Sequence, residues 1–186
     1  MKIRLIGPGG AGKSTVGALL SELLVTRCID LDASFVSRFG DVGRHIEEFG
    51  YRSYASRNVE IYLRHDTETD DEEPIIVLSS GFMTYAADIH PAYDRCRADI
   101  VGGAASFVLL PSVDLETCVR ETVRRQMARP FARSADREEA VIRQRFDLYQ
   151  RLPVTMIETM RPPMEVARDV CSRIRRLHAS QKHHRT

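Results

Sequence analysis

The sequence predicts an α/β fold, a three-layer sandwich with a central parallel sheet of about five strands and helices on both faces. Three observations predict it. Short apolar runs at 2–6, 75–78, 106–110 and 154–157 alternate with longer stretches at helical spacing, the order that builds parallel strands joined by helices. The run Ile75-Ile76-Val77-Leu78 is apolar at every position, as a strand covered on both faces requires. The first strand also passes through a glycine-rich turn straight into a helical pattern.

That turn is Gly7-Pro8-Gly9-Gly10-Ala11-Gly12-Lys13-Ser14, which fits the phosphate-loop pattern at every specified position. Glycines let the backbone bring N–H groups close to a polyphosphate, and the helix N-terminus aims its positive dipole end at the same anion. Nucleotide contacts are therefore assigned to Gly9, Gly10, Ala11, Gly12, Lys13, Ser14 and Thr15. Lys13 can reach the β- and γ-phosphates of ATP, and the Ser14 hydroxyl can ligate Mg²⁺.

Next, Cys28-Ile29-Asp30-Leu31-Asp32 reads as a short strand ending in two acids. Functional groups collect at the carboxyl ends of strands in open α/β sheets. If the strand persists, Asp30 and Asp32 point to opposite faces and take different tasks. One could hold Mg²⁺ through water, and the other could orient or deprotonate a substrate hydroxyl. Alternatively, Asp32 caps the helical pattern that follows at 33–39. Two amphipathic helical pieces follow at 44–49 and 51–64, then an acidic loop at 66–74.

The strand at 75–78 ends in Ser79-Ser80-Gly81, small residues that let a ligand approach the backbone. No Asp follows this strand, which leaves Asp30 as the candidate for the metal's outer shell. Residues 87–98 are weakly helical and interrupted by Pro91, and Pro111 stops the strand at 106–110. Residues 114–127 form a strong helix that leads into an arginine-rich stretch, 124–133, read as part of a lid over the phosphates at about 124–137. A helix at 136–152, a last strand at 154–157 and a closing helix at 164–177 complete the chain.

With 186 residues the chain is long enough to bury a real core, and it reads as one domain over 1–186. A net charge of +1 gives no general nucleic-acid surface. The four cysteines include no C-x-x-C pair and are read as small reduced core residues. No signal-peptide core and no apolar run of membrane-spanning length is present, so a cytoplasmic protein with no membrane partner is expected. The expected partner is a small-molecule substrate. Nothing demands a dimer, so a monomer is expected.

With these motifs in place, the chain resembles the shikimate kinases, phosphate-loop kinases of the nucleoside-monophosphate-kinase-like group, a fold that carries a lid. The resemblance rests on 7–15, on Asp30-Leu31-Asp32 as an Asp-x-Asp pair, and on Ser37-Arg38-Phe39-Gly40 beside an Arg-x-Gly turn. Arg129-Pro130-Phe131 resembles the lid's Arg-Pro-Leu element, and Arg145-Phe146-Asp147-Leu148-Tyr149 a later arginine-to-tyrosine segment. It implies that Asp32 holds the substrate hydroxyl and acts as base, and that Asp30 sits in the Mg²⁺ outer shell. Arg129 and Arg145 would grip a carboxylate or the transferred phosphoryl, for which a bidentate fork is suited. Arg125 would stack on adenine or belong to the lid, and Ser80 and Gly81 would border the substrate.

Two departures stand out. The family's three glycines after the central strand are Ser79-Ser80-Gly81 here, and its Gly-Glu-x-x-Phe-Arg segment is Gly50-Tyr51-Arg52-Ser53-Tyr54-Ala55. The carboxylate-binding arginine is thus missing at the matching place, a loss of about 2 to 5 kcal/mol of binding in an ordinary clamp. Arg52 or Arg57 could reach the site from neighbouring helical positions. The activity implied is ATP-dependent phosphorylation of a small hydroxylated acid, shikimate first. A sugar acid, nucleoside or antibiotic acceptor, or nucleotide binding without catalysis, stand as alternatives.

Overall fold

In a computed structural model, the structure describes residues 1–67, 74–128 and 134–183, with side chains through 180. Five parallel strands, β1 (Ile3–Ile6), β2 (Cys28–Asp30), β3 (Ile75–Val77), β4 (Ser106–Leu110) and β5 (Thr155–Glu158), form one sheet in the order β2-β3-β1-β4-β5. The helices are α1 (Lys13–Leu24), α2 (Leu31–Phe39), α3 (Val42–Thr67), α4 (Tyr93–Gly102), α5 (Leu115–Met127), α6 (Ala135–Arg151) and α7 (Pro163–His183).

Alternate strand residues feed two separate cores, because successive side chains leave opposite faces of a sheet. Leu5, Ile75, Val77, Phe107 and Leu109 pack with α1 and α7. Ile6, Ile76, Leu78, Val108 and Leu110 pack with α2 through α6. Both faces of the central strands are dry, which explains their unbroken apolar runs. The expected three layers and five strands are present.

Several boundaries differ from the sequence reading. Gly50 interrupts α3 with φ 79 and ψ 160, so the two expected helical pieces sit end to end across a kink. Asp66, expected in the acidic loop, lies in the last turn of α3 and pairs with Lys2 (2.9 Å) and Arg4 (3.4 Å). Thr67 ends the helix, and 68–73 of that loop lie outside the described residues. Two 3-10 turns, Phe82–Thr84 and Ala87–Ile89, precede α4, which starts only after Pro91. The last helix continues to His183, beyond the expected end at 177. Cys96, Cys118 and Cys171 are buried, Cys28 is half-buried, and all four are free thiols.

Candidate active site

Because β1 is central, its carboxyl end delivers the glycine loop to the middle of the sheet edge. Gly7 and Gly10 have φ of 145 and 74, in the range that L side chains rarely adopt. A Cβ on Gly7 would lie 2.3 Å from the Leu109 carbonyl oxygen, so the loop also packs too closely for any side chain there. Gly12 caps α1 without a side-chain hydrogen bond, which leaves the first-turn N–H groups for an anion. Lys13, only 7% exposed, donates from Nζ to the carbonyls of Gly7 (2.7 Å) and Pro8 (2.9 Å) and so is folded over the loop.

The two acids separate as expected, by a different device. β2 ends at Asp30, whose Oδ1 accepts from the backbone N–H groups of Asp32 (2.9 Å) and Ala33 (3.2 Å). Asp30 is therefore the N-cap of α2, and Asp32 lies in its first turn. This corrects the alternative that made Asp32 the cap. Asp30 Oδ2 accepts from the Ser14 hydroxyl at 2.6 Å, which sets the two assigned metal-site groups side by side. One hydroxyl and one carboxylate are the sparse donor set that Mg²⁺ takes when phosphates supply further oxygens.

Asp32 turns into a cavity of about 510 Å³ that it shares with Lys13, Ser14, Ser80, Gly81 and Arg145. Its Oδ1 accepts from the Tyr54 hydroxyl at 3.0 Å. Burial, followed by the Asp32 charge, holds the Tyr54 proton far above the usual phenol range. Behind it, Ser79 and Tyr85 share a buried hydroxyl contact of 2.9 Å. Ser79 and Ser80 therefore act differently, the first through its side chain and the second through its backbone. Ser79 braces the wall, and Ser80 presents its carbonyl to Tyr149 and Arg145.

Arg145 reaches across from α6, with Nη2 donating to the Tyr51 hydroxyl at 3.3 Å. Arg52 and Arg57 do not join it. Arg52 donates to the Asp88 carbonyl (2.6 Å) and pairs with its carboxylate (3.1 Å). Arg57 pairs with Glu60 (2.8 Å) and covers the Phe39 ring. Both are held on the outer side of α3 by nearer partners, which overturns their expected reach into the site.

On the other flank of the loop, a cavity of about 480 Å³ is lined by Gly12, Thr15, Arg124, Arg125, Thr159 and Pro162 among others. Arg125 bridges its two sides. It donates to the Gly10 carbonyl (3.3 Å), to the Thr159 hydroxyl (3.1 Å) and carbonyl (2.8 Å), and to Glu121 (2.6 Å). Hydrogen bonds from Arg124 first, then from Arg125, hold the Glu121 carboxyl down at about 2. Of the expected lid, 124–127 continues α5 and 135–137 opens α6. Arg129 and the rest of 129–133 lie outside the described residues.

Tyr51, Tyr54 and Thr159 were not among the site residues read from the sequence. Tyr54 and Tyr51 carried a faint signal, aromatics three apart on a helix facing Asp32. Thr159 carried none, because only the β4–β5 pairing brings it to the loop.

A family model described as "Shikimate kinase" matches residues 9–175. The shikimate kinase of Mycobacterium ulcerans (strain Agy99) is 29% identical over 185 residues, covering 93% of this chain and 89% of that one. That of Halorhodospira halophila (strain DSM 244 / SL1) is 28% identical over 165 residues, covering 85% and 84%. Among solved structures, shikimate kinase from Acinetobacter baumannii in complex with shikimate superposes with a TM-score of 0.69 at 22% identity, covering 97% of this chain and 94% of that one. A gluconokinase from Sinorhizobium meliloti 1021 superposes with a TM-score of 0.58 at 16% identity, covering 98% and 96%.

Proposed function

The chain belongs to the shikimate kinase family, and from that premise we propose that it transfers the γ-phosphoryl group of ATP to a hydroxyl of shikimate. One observation carries the reading. The loop residues Lys13 and Ser14 line a single cavity with Asp32, so a phosphate donor and an acceptor alcohol can meet there.

The residues divide the work as follows. Loop N–H groups from Gly9 to Thr15 and the Lys13 ammonium hold the β- and γ-phosphates. Ser14 and Asp30, already hydrogen-bonded to each other, are the residues that would hold Mg²⁺. Bound MgATP supplies the phosphoryl group and the metal's charge neutralisation. Asp32 orients the acceptor hydroxyl and takes its proton, and the Tyr54 hydroxyl fixes the carboxylate's rotamer. Arg145 meets the acceptor's carboxylate, and Ser80 and Gly81 form the floor under it. Arg125 closes the base side by tying the loop to Thr159, where Val16, Met160 and Pro162 give an apolar bed for a purine. Arg129, in the lid at about 124–137, would offset charge on the phosphoryl in transit.

The same reading makes 1–186 one kinase domain, working as a cytoplasmic monomer on a small molecule without nucleic acid. No described helix is long and apolar enough to cross a membrane. A coupled assay of ADP release with and without shikimate tests the function. Shikimate-dependent release is expected, and its absence at saturating MgATP refutes the reading.

A further inference from the structure

Among the described residues, Arg145 is the one guanidinium that lines the acceptor side of the active-site cavity. It is half-buried, and two weak braces hold it, the Tyr51 hydroxyl at 3.3 Å and the Ser80 carbonyl at 3.4 Å. No arginine of the facing helix α3 lines the cavity. Arg52 and Arg57 are held on the outer side by Asp88 and Glu60, and Ala55 between them is 0% exposed within the core.

What that helix does offer is a wall of two phenols, Tyr51 and Tyr54, backed by the buried Tyr85 from the segment after β3. The Tyr51 ring centroid stands 5.8 Å from that of Tyr54 and 6.0 Å from that of Tyr85. The wall is tight against the floor: a Cβ on Gly81 would fall 2.6 Å from the Tyr51 hydroxyl oxygen. Val36, Ile46 and Val141 complete it with aliphatic surface. Three carboxylates, Asp32, Asp41 and Glu138, also border the cavity. Among the described residues, a carboxylate on the acceptor therefore gains one guanidinium contact and meets like charge around it, whereas a hydroxylated ring gains apolar packing and phenol hydrogen bonds.

We infer that this site holds its acceptor chiefly by ring and hydroxyl contacts to the Tyr51–Tyr54 wall, with Arg145, among the described residues, as the carboxylate contact, set by Tyr51. It accepts hydroxylated-ring compounds whether or not they carry a carboxylate, and Tyr51 is a specificity-determining residue. The inference rests on the kinase reading above and narrows its substrate class.

The test compares shikimate with its methyl ester, which keeps the ring and hydroxyls and removes the charge. One charge-assisted hydrogen bond corresponds to a kcat/KM preference for shikimate of no more than about 100-fold, and a larger preference overturns the inference. In Tyr51→Phe the KM for shikimate rises at least about threefold with the KM for ATP unchanged, whereas an unchanged shikimate KM removes Tyr51 from the assignment. Shikimate turnover with a preference above the limit defeats this inference alone. If neither compound supports ADP release, the kinase reading fails, and the ratio of their dissociation constants, measured with β,γ-imido-ATP bound, applies the same limit. Failure of both compounds to bind overturns the inference as well.

Discussion

Asp32→Asn isolates one proton acceptor with little disturbance to its surroundings. Asparagine has the same outline and keeps an oxygen that can accept from the Tyr54 hydroxyl, now 3.0 Å from Oδ1. The bonds from Asp30 to this turn use the backbone N–H groups of residues 32 and 33, so the α2 cap survives. What changes is charge. A hydrogen bond to a neutral acceptor is weaker than one to a carboxylate by about 1 kcal/mol, a shift in Tm of roughly 2 to 4 °C for a chain this long. Catalysis loses far more. General-base removal costs about 10² to 10⁴ in rate, or about 3 to 5 kcal/mol of barrier. The assay is shikimate-dependent ADP release at saturating MgATP, with ATP affinity measured by titration on the same preparation. The expected result is a kcat lower by about two orders of magnitude or more with ATP affinity kept within about twofold. A kcat within about threefold of the parent would refute the assignment of Asp32 as base.

Asp30→Asn preserves the cap, since asparagine is as good an N-cap as aspartate, but removes the charge 2.6 Å from the Ser14 hydroxyl. The Mg²⁺ concentration for half-maximal rate should rise about tenfold with thermal stability little changed, and an unaltered Mg²⁺ titration would contradict the metal assignment. Arg125→Ala removes the tie between the Gly10 carbonyl and Thr159 and should weaken ATP by about tenfold, the value of one charge-assisted contact, while acceptor KM stays put. Equal weakening of both substrates would point to general loosening instead. Stability should also fall at alkaline pH. Burial raises the phenol of Tyr93 to about 12 and those of Tyr54, Tyr62, Tyr85 and Tyr149 higher still. Above about pH 10 the unfolded chain releases these protons and the folded chain keeps them, so the unfolded state binds fewer protons and stability declines with a slope of about 1.4 kcal/mol per pH unit per tyrosine. Melting temperatures from pH 8 to 11 check this; stability unchanged above pH 10 would mean the phenols ionise in the folded state as freely as in water.

Local chemistry made much of the site readable in the sequence. The glycine loop, Lys13 and Ser14 are consecutive, so backbone geometry alone fixes their relation. Asp30 and Asp32 were readable as a pair of acids at the end of the second strand. Their hydrogen bonds were not, because strand and helix patterns overlap at 28–33 and the cap decides where one stops. The acceptor wall was harder. Tyr54 and Ala55 look like a lost arginine in the sequence, whereas in the fold Tyr54 is a partner of Asp32 and Ala55 is core. Arg52 and Arg57 were placed near the site by helical spacing, but spacing says nothing of competing partners, and Asp88 lies 36 residues away from Arg52. The tie from Arg125 to Thr159 spans 34 residues and follows from β5 lying beside β4, an order that strand patterns do not specify.

The placement of the donor and acceptor halves depends on how closely α1 lies on the sheet. Gly17 faces β3 and β2, where a Cβ would come 2.6 Å from Val77 Cγ2 and 3.0 Å from Cys28 Sγ. Glycine therefore lets the helix axis sit nearer the strands than any other residue would. One turn back along that helix is Ser14, and one residue beyond Ile29 on the strand beneath is Asp30, the pair joined at 2.6 Å. Since the interior is close-packed, a helix lifted here would separate the hydroxyl from the carboxylate without altering either side chain. The β2-β3-β1 order then does the rest. It sets the tip of β2, carrying Asp30 and leading to Asp32, two strands from the phosphate loop, with the Ser79–Gly81 floor in the turn that follows the strand between them. On the proposed reading the acceptor would lie over the end of β3, between Asp32 and the glycine loop.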